Sequence, residues 1–315
     1  MTALKNNTFN NVQFTFQIGL HKDEIKVLEY IMDTLKCGHI SKSGNKVNFF
    51  VNDQYSLLNI IIPLFDYVNL NSSKYHHFVA FKKAVMLIKD KKHILNEGKL
   101  EIIETKKLMQ SMSGKWIPDS IGDKINITKY WLAGFIDGEG TFSTNKYIPR
   151  FKLPRRGQSF GLENYIKELE LYNQIKKFLG TDKLLYSNER LDRTESNPTI
   201  ILEINKIKEI KEILIPLMYD NDKLLLNTLK SKDFLLWLNL VDIYYKGYHT
   251  TLEGKYIFDA IKSSINKYRL TTNSHLLKEC PSIAEINELL SKLYLSESPY
   301  IPGRRLQGVV WAAVR

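Results

Sequence analysis

The stretch Trp131-Leu132-Ala133-Gly134-Phe135-Ile136-Asp137-Gly138-Glu139-Gly140-Thr141-Phe142 gathers glycines and carboxylates in a pattern that could do chemistry. Thr128 is of a residue type that caps a helix N-terminus, and Gly140 is placed to stop the helix. Gly134 and Gly138 are four apart and share a helix face; with Ala133 they form a small-residue surface that another helix backbone can approach closely. Glu139 then stands at the helix C-terminus, where the macrodipole already presents negative charge. A carboxylate there asks for a cation. A divalent metal is one answer, and a solvated, glycine-rich helix end is the other reading of the same residues.

The elements that must position this helix repeat along the chain. Ile61-Ile62-Pro63-Leu64-Phe65 returns as Leu214-Ile215-Pro216-Leu217-Met218, and His93-x-x-x-Glu97-Gly98-Lys99 returns as His249-x-x-x-Glu253-Gly254-Lys255. Leu35-Lys36-Cys37-Gly38 resembles Phe178-Leu179-Gly180-Thr181. Three boxes in one order at nearly constant spacing mark a duplication. In the first copy Val12 to Leu20 alternates as a strand, Asp23 to Leu35 is an amphipathic helix, Lys46 to Val51 is a strand, and Tyr55–Phe65 and Lys74–Lys89 are helical. In the second copy Phe142 to Leu153 and Tyr165 to Glu170 read as strands, Leu171 to Leu179 as helix and Thr199 to Ile204 as strand. Ile207–Met218 and Leu224–Tyr245 are helical again. Pro149, Pro154, Arg155, Arg156 and Gly157 interrupt the first hairpin of that copy, either as a long exposed turn or as a basic finger reaching a phosphate. Pro281 to Leu295 adds a helix within a tail that ends with Arg304 and Arg305 nearby.

Composition narrows the partners. The 315 residues carry 45 Lys+Arg against 34 Asp+Glu, a formal charge of +11, with 43 % hydrophobic residues. That is enough apolar material for two cores, and the excess of positive charge suits a polyanion. Cys37 and Cys280 have no metal-ligand spacing around them, so neither a disulfide framework nor a zinc finger is expected. No apolar run is long enough to cross a membrane, and Met1 to Gln13 shows no import signal.

Leu132 to Gly140 resembles the LAGLIDADG motif, and the duplication resembles that of single-chain LAGLIDADG homing endonucleases over roughly residues 12–270. The resemblance implies an α+β fold of two pseudo-symmetric αββαββα halves, with the motif helices packed at the pseudo-twofold axis. It implies sheets that lie as a saddle on the DNA major groove, and Mg²⁺ held by the last acid of each motif for phosphodiester hydrolysis. Carried onto this chain, Glu139 is the metal-binding catalytic acid and Lys206 the basic residue that assists it. Gln13, Thr15, Gln17, Ser143, Asn145 and Lys152 fall on the groove face, with Arg155 and Arg156 as further nucleic-acid contacts, and Ala133, Gly134 and Gly138 pack helix on helix. Mitochondrial residence follows from the same resemblance.

The chain departs from the pattern in its first half. The repeat spacing carried back from Glu139 falls before Met1, or near residue 3 if Pro154 to Phe160 is an insertion, yet the first acid is Asp23. Asp53 occupies the position matching Lys206. The expected layout is therefore residues 1–116 as a degenerate half without its N-terminal helix, 117–127 as linker, 128–270 as the second half and 271–315 as a tail. Two-strand cleavage is expected to be impaired while polyanion binding persists. The exposed small-residue face should be covered by a second polypeptide or a ribonucleoprotein. Besides a DNA-binding endonuclease, the sequence allows an RNA-binding intron maturase or a structural protein of the mitochondrial ribosome, neither needing Mg²⁺.

Overall fold

The computed structural model describes residues 13–111, 125–156, 162–181, 184–187, 199–265 and 281–299, apart from 69, 73 and 297. Expectations for Arg304, Arg305, the absent helix before residue 13 and most of the linker fall outside them. The chain divides into two compact units. One holds 1–141, 152–204 and 209–231, the other 142–151, 205–208 and 232–315.

The first repeat runs β1 (Phe16–His21), α1 (Ile25–Leu35), β2 (His39–Ser43) and β3 (Lys46–Val51). It continues through α2 (Gln54–Ser56) and α3 (Ile62–Tyr67), then α4 (Lys74–Lys89) and α5 (Asn96–Ser111). Its sheet is antiparallel in the order β1-β3-β2. Alternation sets the faces. Phe16, Val47, Phe49 and Val51 are buried, and with Leu28 of α1 and Phe78 and Phe81 of α4 they form one core. Phe14 extends the buried row, but pairing begins only at Phe16, so the strand expected from Val12 starts later.

The second repeat runs α6 (Lys129–Glu139), β4 (Thr141–Asn145), β5 (Ile148–Arg156), α7 (Leu162–Leu179), β6 (Leu184–Ser187) and β7 (Thr199–Ile204). It then runs α8 (Ile207–Glu209), α9 (Ile215–Leu217), the two-residue ladder of β8 (Tyr219–Asp220) with β9 (Lys223–Leu224), α10 (Lys230–Tyr245) and α11 (Leu252–Ser264). The capped helix α12 (Ile283–Leu295) follows. Its sheet order is β4-β5-β7-β6. Strands β5, β7 and β6 thus correspond to β1, β3 and β2.

Three expectations are corrected. Tyr165 to Glu170 is not a strand but part of α7, because Ile166, Leu169, Tyr172 and Ile175 recur at helical spacing once a window longer than six residues is taken. Helix α10 begins at Lys230 rather than Leu224, since 225–229 form a loop. Pro149 and Pro154 to Arg156 do not interrupt the hairpin; they belong to β5, whose nine residues outrun the five of β4. Strands β2 and β6 lacked a strong enough apolar alternation to be foreseen.

The repeats are explained by sterics. Pro63 and Pro216 would each clash with the carbonyl four residues back, and in both halves a π-helical turn, Leu57–Ile61 or Ile210–Leu214, widens the helix just before it. Helices α1 and α7 both end at a residue in the left-handed region, Lys36 (φ 52°) and Gly180 (φ 61°). In the His…Glu-Gly-Lys boxes the glycine lies against the preceding 3₁₀ turn. A Cβ would stand 2.1 Å from the Lys92 carbonyl oxygen at Gly98 and 2.0 Å from that of Tyr248 at Gly254. Gly98→Ala and Gly254→Ala should each lower stability by about 1–3 kcal/mol in urea unfolding, whereas Gly44→Ala meets no atom within 4 Å among the described residues and loses only what its positive φ costs.

In the second unit Phe142 is fully buried against Phe151, Phe234 and Trp237 at 5.4, 5.0 and 5.2 Å between ring centres. The Trp237 indole donates to the Ser143 carbonyl at 2.9 Å. His249 stacks on Tyr244 at 4.3 Å. Burial holds its imidazole below the ordinary 6.5, the Lys255 charge adds to this, and backbone hydrogen bonds at Tyr244 and Ile243 oppose it. The fold therefore favours neutral His249, whose contribution is complete above pH about 6.5 and is lost as the pH falls towards its depressed value. Thermal unfolding at pH 7 and about pH 5.5 should show a lower Tm at the acid end, with part of that difference removed by His249→Gln.

Candidate functional site

Helix α6 forms as its sequence directs. The Thr128 hydroxyl accepts from the Trp131 amide at 3.2 Å, and the helix ends at Glu139 with the Gly140 amide donating to the Ile136 carbonyl at 2.8 Å. Leu132, Ala133, Ile136 and Asp137 are buried, while Gly134, Gly138 and Glu139 are exposed. Ala133 therefore packs toward the interior and does not share the face of Gly134 and Gly138, because adjacent residues are about 100° apart round a helix. A Cβ at either glycine would meet nothing within 4 Å among the described residues.

The helix end is held by a loop that sequence reasoning passed over. Asp137 accepts from the amides of Asn227 (2.8 Å) and Thr228 (3.0 Å) and from the Thr228 hydroxyl (2.5 Å). Lys230 turns its ammonium onto the carbonyls of Ile136 and Gly138, both at 3.3 Å, and of Gly140 at 2.5 Å. The Leu229 amide donates to the Glu24 carboxylate at 2.9 and 3.1 Å. The cation that the helix end asks for is thus the ammonium of this chain's own lysine. A signal was present: a Lys two residues beyond a polar Asn-Thr pair at the start of a helix suits a neighbouring helix C-terminus.

This arrangement bears on the metal. Among the described residues no three His, Cys, Asp or Glu side chains are grouped so as to hold an ion. Asp137 has both oxygens committed, and the carbonyls on either side of Glu139 already face an ammonium. Glu139 is thus not part of any three-ligand group among the described residues. Lys206 is exposed just before α8. Its counterpart Asp53 caps α2, accepting from the Ser56 amide at 2.7 Å, and that hydrogen bond holds its carboxyl below the usual range.

The proposed groove residues divide by strand. In the first sheet, register puts Gln17, Gly19 and His21 opposite Phe50, Asn48 and Lys46, and these opposite His39, Ser41 and Ser43. None of these nine residues is acidic, and the Asp23 carboxylate lies 3.2 Å from the His21 imidazole at the end of the row. The Gln17 amide donates to Asn48 at 2.9 Å, and Gly19 leaves the room, since a Cβ there would stand 2.7 Å from the Asn48 amide oxygen. His39 stacks on Phe50 at 5.6 Å. Gln13 is exposed and Thr15 half-buried in the lead to β1. In the second repeat Asn145 is exposed, and the Ser143 hydroxyl donates to the Arg150 carbonyl at 3.4 Å. Lys152 pairs with the largely buried Glu203 at 3.4 Å, which offsets its charge. Arg155 and Arg156 lie in β5; their side chains fall outside the described set.

Comparison with known proteins follows the same lines. The profile of a family described as LAGLIDADG endonuclease matches residues 1–85 and 132–241. The chain is 28 % identical over 285 residues to the uncharacterized mitochondrial protein RF1 of Saccharomyces cerevisiae, covering 87 % of this chain and 59 % of that protein. It is 25 % identical over 259 residues to probable intron-encoded endonuclease 3 of Neurospora crassa, covering 77 % and 46 %. The chain thus spans about half the length of these relatives. Among solved structures, meganuclease I-SmaMI bound to uncleaveable DNA superposes with a TM-score of 0.68 at 23 % identity, covering 85 % of this chain and 92 % of that one. The homing endonuclease I-GzeII in complex with its DNA target gives 0.65 at 24 % identity, covering 85 % and 93 %. The mixed helix-and-sheet fold is therefore that of LAGLIDADG homing endonucleases. No described helix is long and apolar enough to cross a membrane.

Lys230→Ala should strip three carbonyls of their donor, and Asp137→Ala should leave the 227–228 amides unpaired. Each is expected to cost about 1–3 kcal/mol in urea unfolding, with Glu139→Gln near neutral in the same measurement.

Proposed function

Because the chain belongs to the LAGLIDADG endonuclease family, we propose that it binds a long duplex DNA site through the outer faces of its sheets, with phosphodiester hydrolysis impaired. The observation that carries binding is the first sheet's outer face: amide, hydroxyl, imidazole and ammonium groups in register, the Asp23 carboxylate beside His21 being confined to the end of the row. Such groups on alternate strand positions match the donor and acceptor edges exposed in a major groove. Impaired hydrolysis is supported by the commitment of both Asp137 oxygens to the 227–228 loop and by the lack of any three-ligand group among the described residues. Mg²⁺ belongs to this reading only where a further acid is brought to Glu139.

A second reading is favoured by the His39–Phe50 stack, which presents aromatic rings on a polar sheet as RNA-binding sheets do for unpaired bases. It makes the chain an RNA-binding derivative, either an intron maturase or a structural protein of the mitochondrial ribosome. The mitochondrial setting is supported by the printed name of the yeast relative.

Duplexes selected from a randomised library should bind with an affinity that falls at least about tenfold between 50 and 200 mM salt. Gln17→Ala with Asn48→Ala should relax sequence preference. With Mg²⁺ and the selected site, no double-strand break is expected, and any nicking should vanish in Glu139→Gln. Salt-independent binding would overturn the interface. Full double-strand cleavage would overturn the impairment, and preference for structured RNA over every duplex would transfer the reading to the second.

A further inference from the structure

The 3₁₀ turns that lead into α5 (Lys92–Ile94) and into α11 (Tyr248–Thr250) share a backbone and differ in what they show to solvent. Lys91, Lys92, Ile94 and Leu95 match Gly247, Tyr248, Thr250 and Thr251, each 156 residues on. Both turns open on a residue in the left-handed region, Lys91 (φ 56°) and Gly247 (φ 82°). The amides of Ile94 and Leu95 donate back three residues at 3.1 and 3.0 Å, as do those of Thr250 and Thr251.

In the second turn the side chains serve the fold. Gly247 takes its positive φ without a Cβ to oppose it. The Thr250 hydroxyl donates to the Gly247 carbonyl at 2.8 Å, and the Thr251 hydroxyl caps α11 by accepting from the Gly254 amide at 3.0 Å. Tyr248 is buried, its hydroxyl donating to the Ser296 carbonyl at 2.9 Å. The first turn gives up each of these. A lysine holds the left-handed position, another replaces the buried tyrosine, and two aliphatic residues replace the threonines. Ile94 and Leu95 are 62 % and 63 % exposed, with Leu100 of α5 also exposed, and Leu95 has no oxygen with which to cap that helix. A turn whose residues work against its own backbone while presenting aliphatic groups to solvent is built for contact.

Charge identifies the partner. Lys89, Lys91 and Lys92 are exposed, and with Lys99 they outnumber the neighbouring acids Asp90 and Glu97. The next acid, Glu101, is paired with Lys83 at 2.9 Å. Residues three apart eclipse in a 3₁₀ turn, so Lys91 shares a side with Ile94 and Lys92 with Leu95. We propose that this turn is a peripheral membrane contact, in which Ile94 and Leu95 enter the acyl boundary of an anionic phospholipid surface while Lys89, Lys91 and Lys92 meet its phosphates. A nucleic-acid backbone offers phosphate but nothing apolar for the two side chains; a bilayer surface offers both. Such a contact needs no spanning helix, and no described helix could span. The inference goes beyond DNA binding and does not rest on it.

The test sediments the whole chain with phosphatidylcholine vesicles, either pure or carrying about 30 mol % cardiolipin. Binding to the anionic vesicles is expected, and binding at least about tenfold weaker to the neutral ones. Ile94→Thr with Leu95→Thr, which installs the residues of the second turn, should weaken binding about tenfold. The same pair should raise the midpoint of urea unfolding, because α5 gains a cap. Lys89→Gln with Lys91→Gln should weaken vesicle binding to a similar extent. The emission of Ile94→Trp, less that of the parent chain, should move to the blue on anionic vesicles, a shift that adsorption through net charge alone would not produce. Vesicle binding unchanged by the 94/95 pair, an emission that stays put, or equal affinity for neutral vesicles would overturn the proposal. So would release of the vesicles by excess duplex DNA, or a loss of nucleic-acid affinity in the 94/95 pair, which would assign the turn to nucleic acid. Vesicle binding is read without DNA, so failure of the DNA-binding reading leaves its outcome unaffected.

Discussion

Two helix ends exchange charges at the start of α10. The last turn of α6 sends the Asp137 carboxylate to the amides before α10, and the first residue of α10 sends its ammonium to the last carbonyls of α6. Each terminus carries unpaired backbone groups of one polarity, and each receives a side chain of the opposite charge from the other. Glu24, from the first repeat, joins the same loop through the Leu229 amide. Strand β4 starts one residue beyond the Gly140 carbonyl that Lys230 holds, so the lead into the second sheet is set by this exchange. Glu139 projects from the tightest part of it, fixed in place without being enclosed.

Much of the fold was legible because its signals are local and periodic. Lys74–Lys89 was readable to the residue from apolar spacing, and Thr128 announced the start of α6. Tyr165 to Glu170 misled because a six-residue window of an amphipathic helix can pass for alternation. Strand β2, His39–Ser43, is nearly all exposed, so its pairing with β3 is dictated by the neighbouring strand and not by its own side chains. At the site, Glu139 could be singled out from its motif. Lys230 lies 91 residues away and declares itself only when the loop folds back, as does the pairing of Lys152 with Glu203.

The two repeats show what a duplicated unit does with positions freed from a shared task. Asp53 has become a helix cap where Lys206 stays exposed, and Lys36, closing α1, takes a left-handed conformation that Gly180, closing α7, adopts without a side-chain clash. The first sheet's paired rows keep uncharged and basic residues, while the second has admitted Glu203 within 3.4 Å of Lys152. The halves have drifted in charge far more than in shape.

The glycines at 98 and 254 give that drift a ruler. Each is fixed by a carbonyl oxygen that leaves no volume for a methyl group, a demand made by the backbone path and indifferent to ligand, metal or charge. Such a position outlasts a change of occupation. A chain that had exchanged cutting for scaffolding would still carry both glycines, six residues beyond the carbonyl they graze. Ancestry in this fold can therefore be read from a collision avoided, even where every residue that once did chemistry has been replaced.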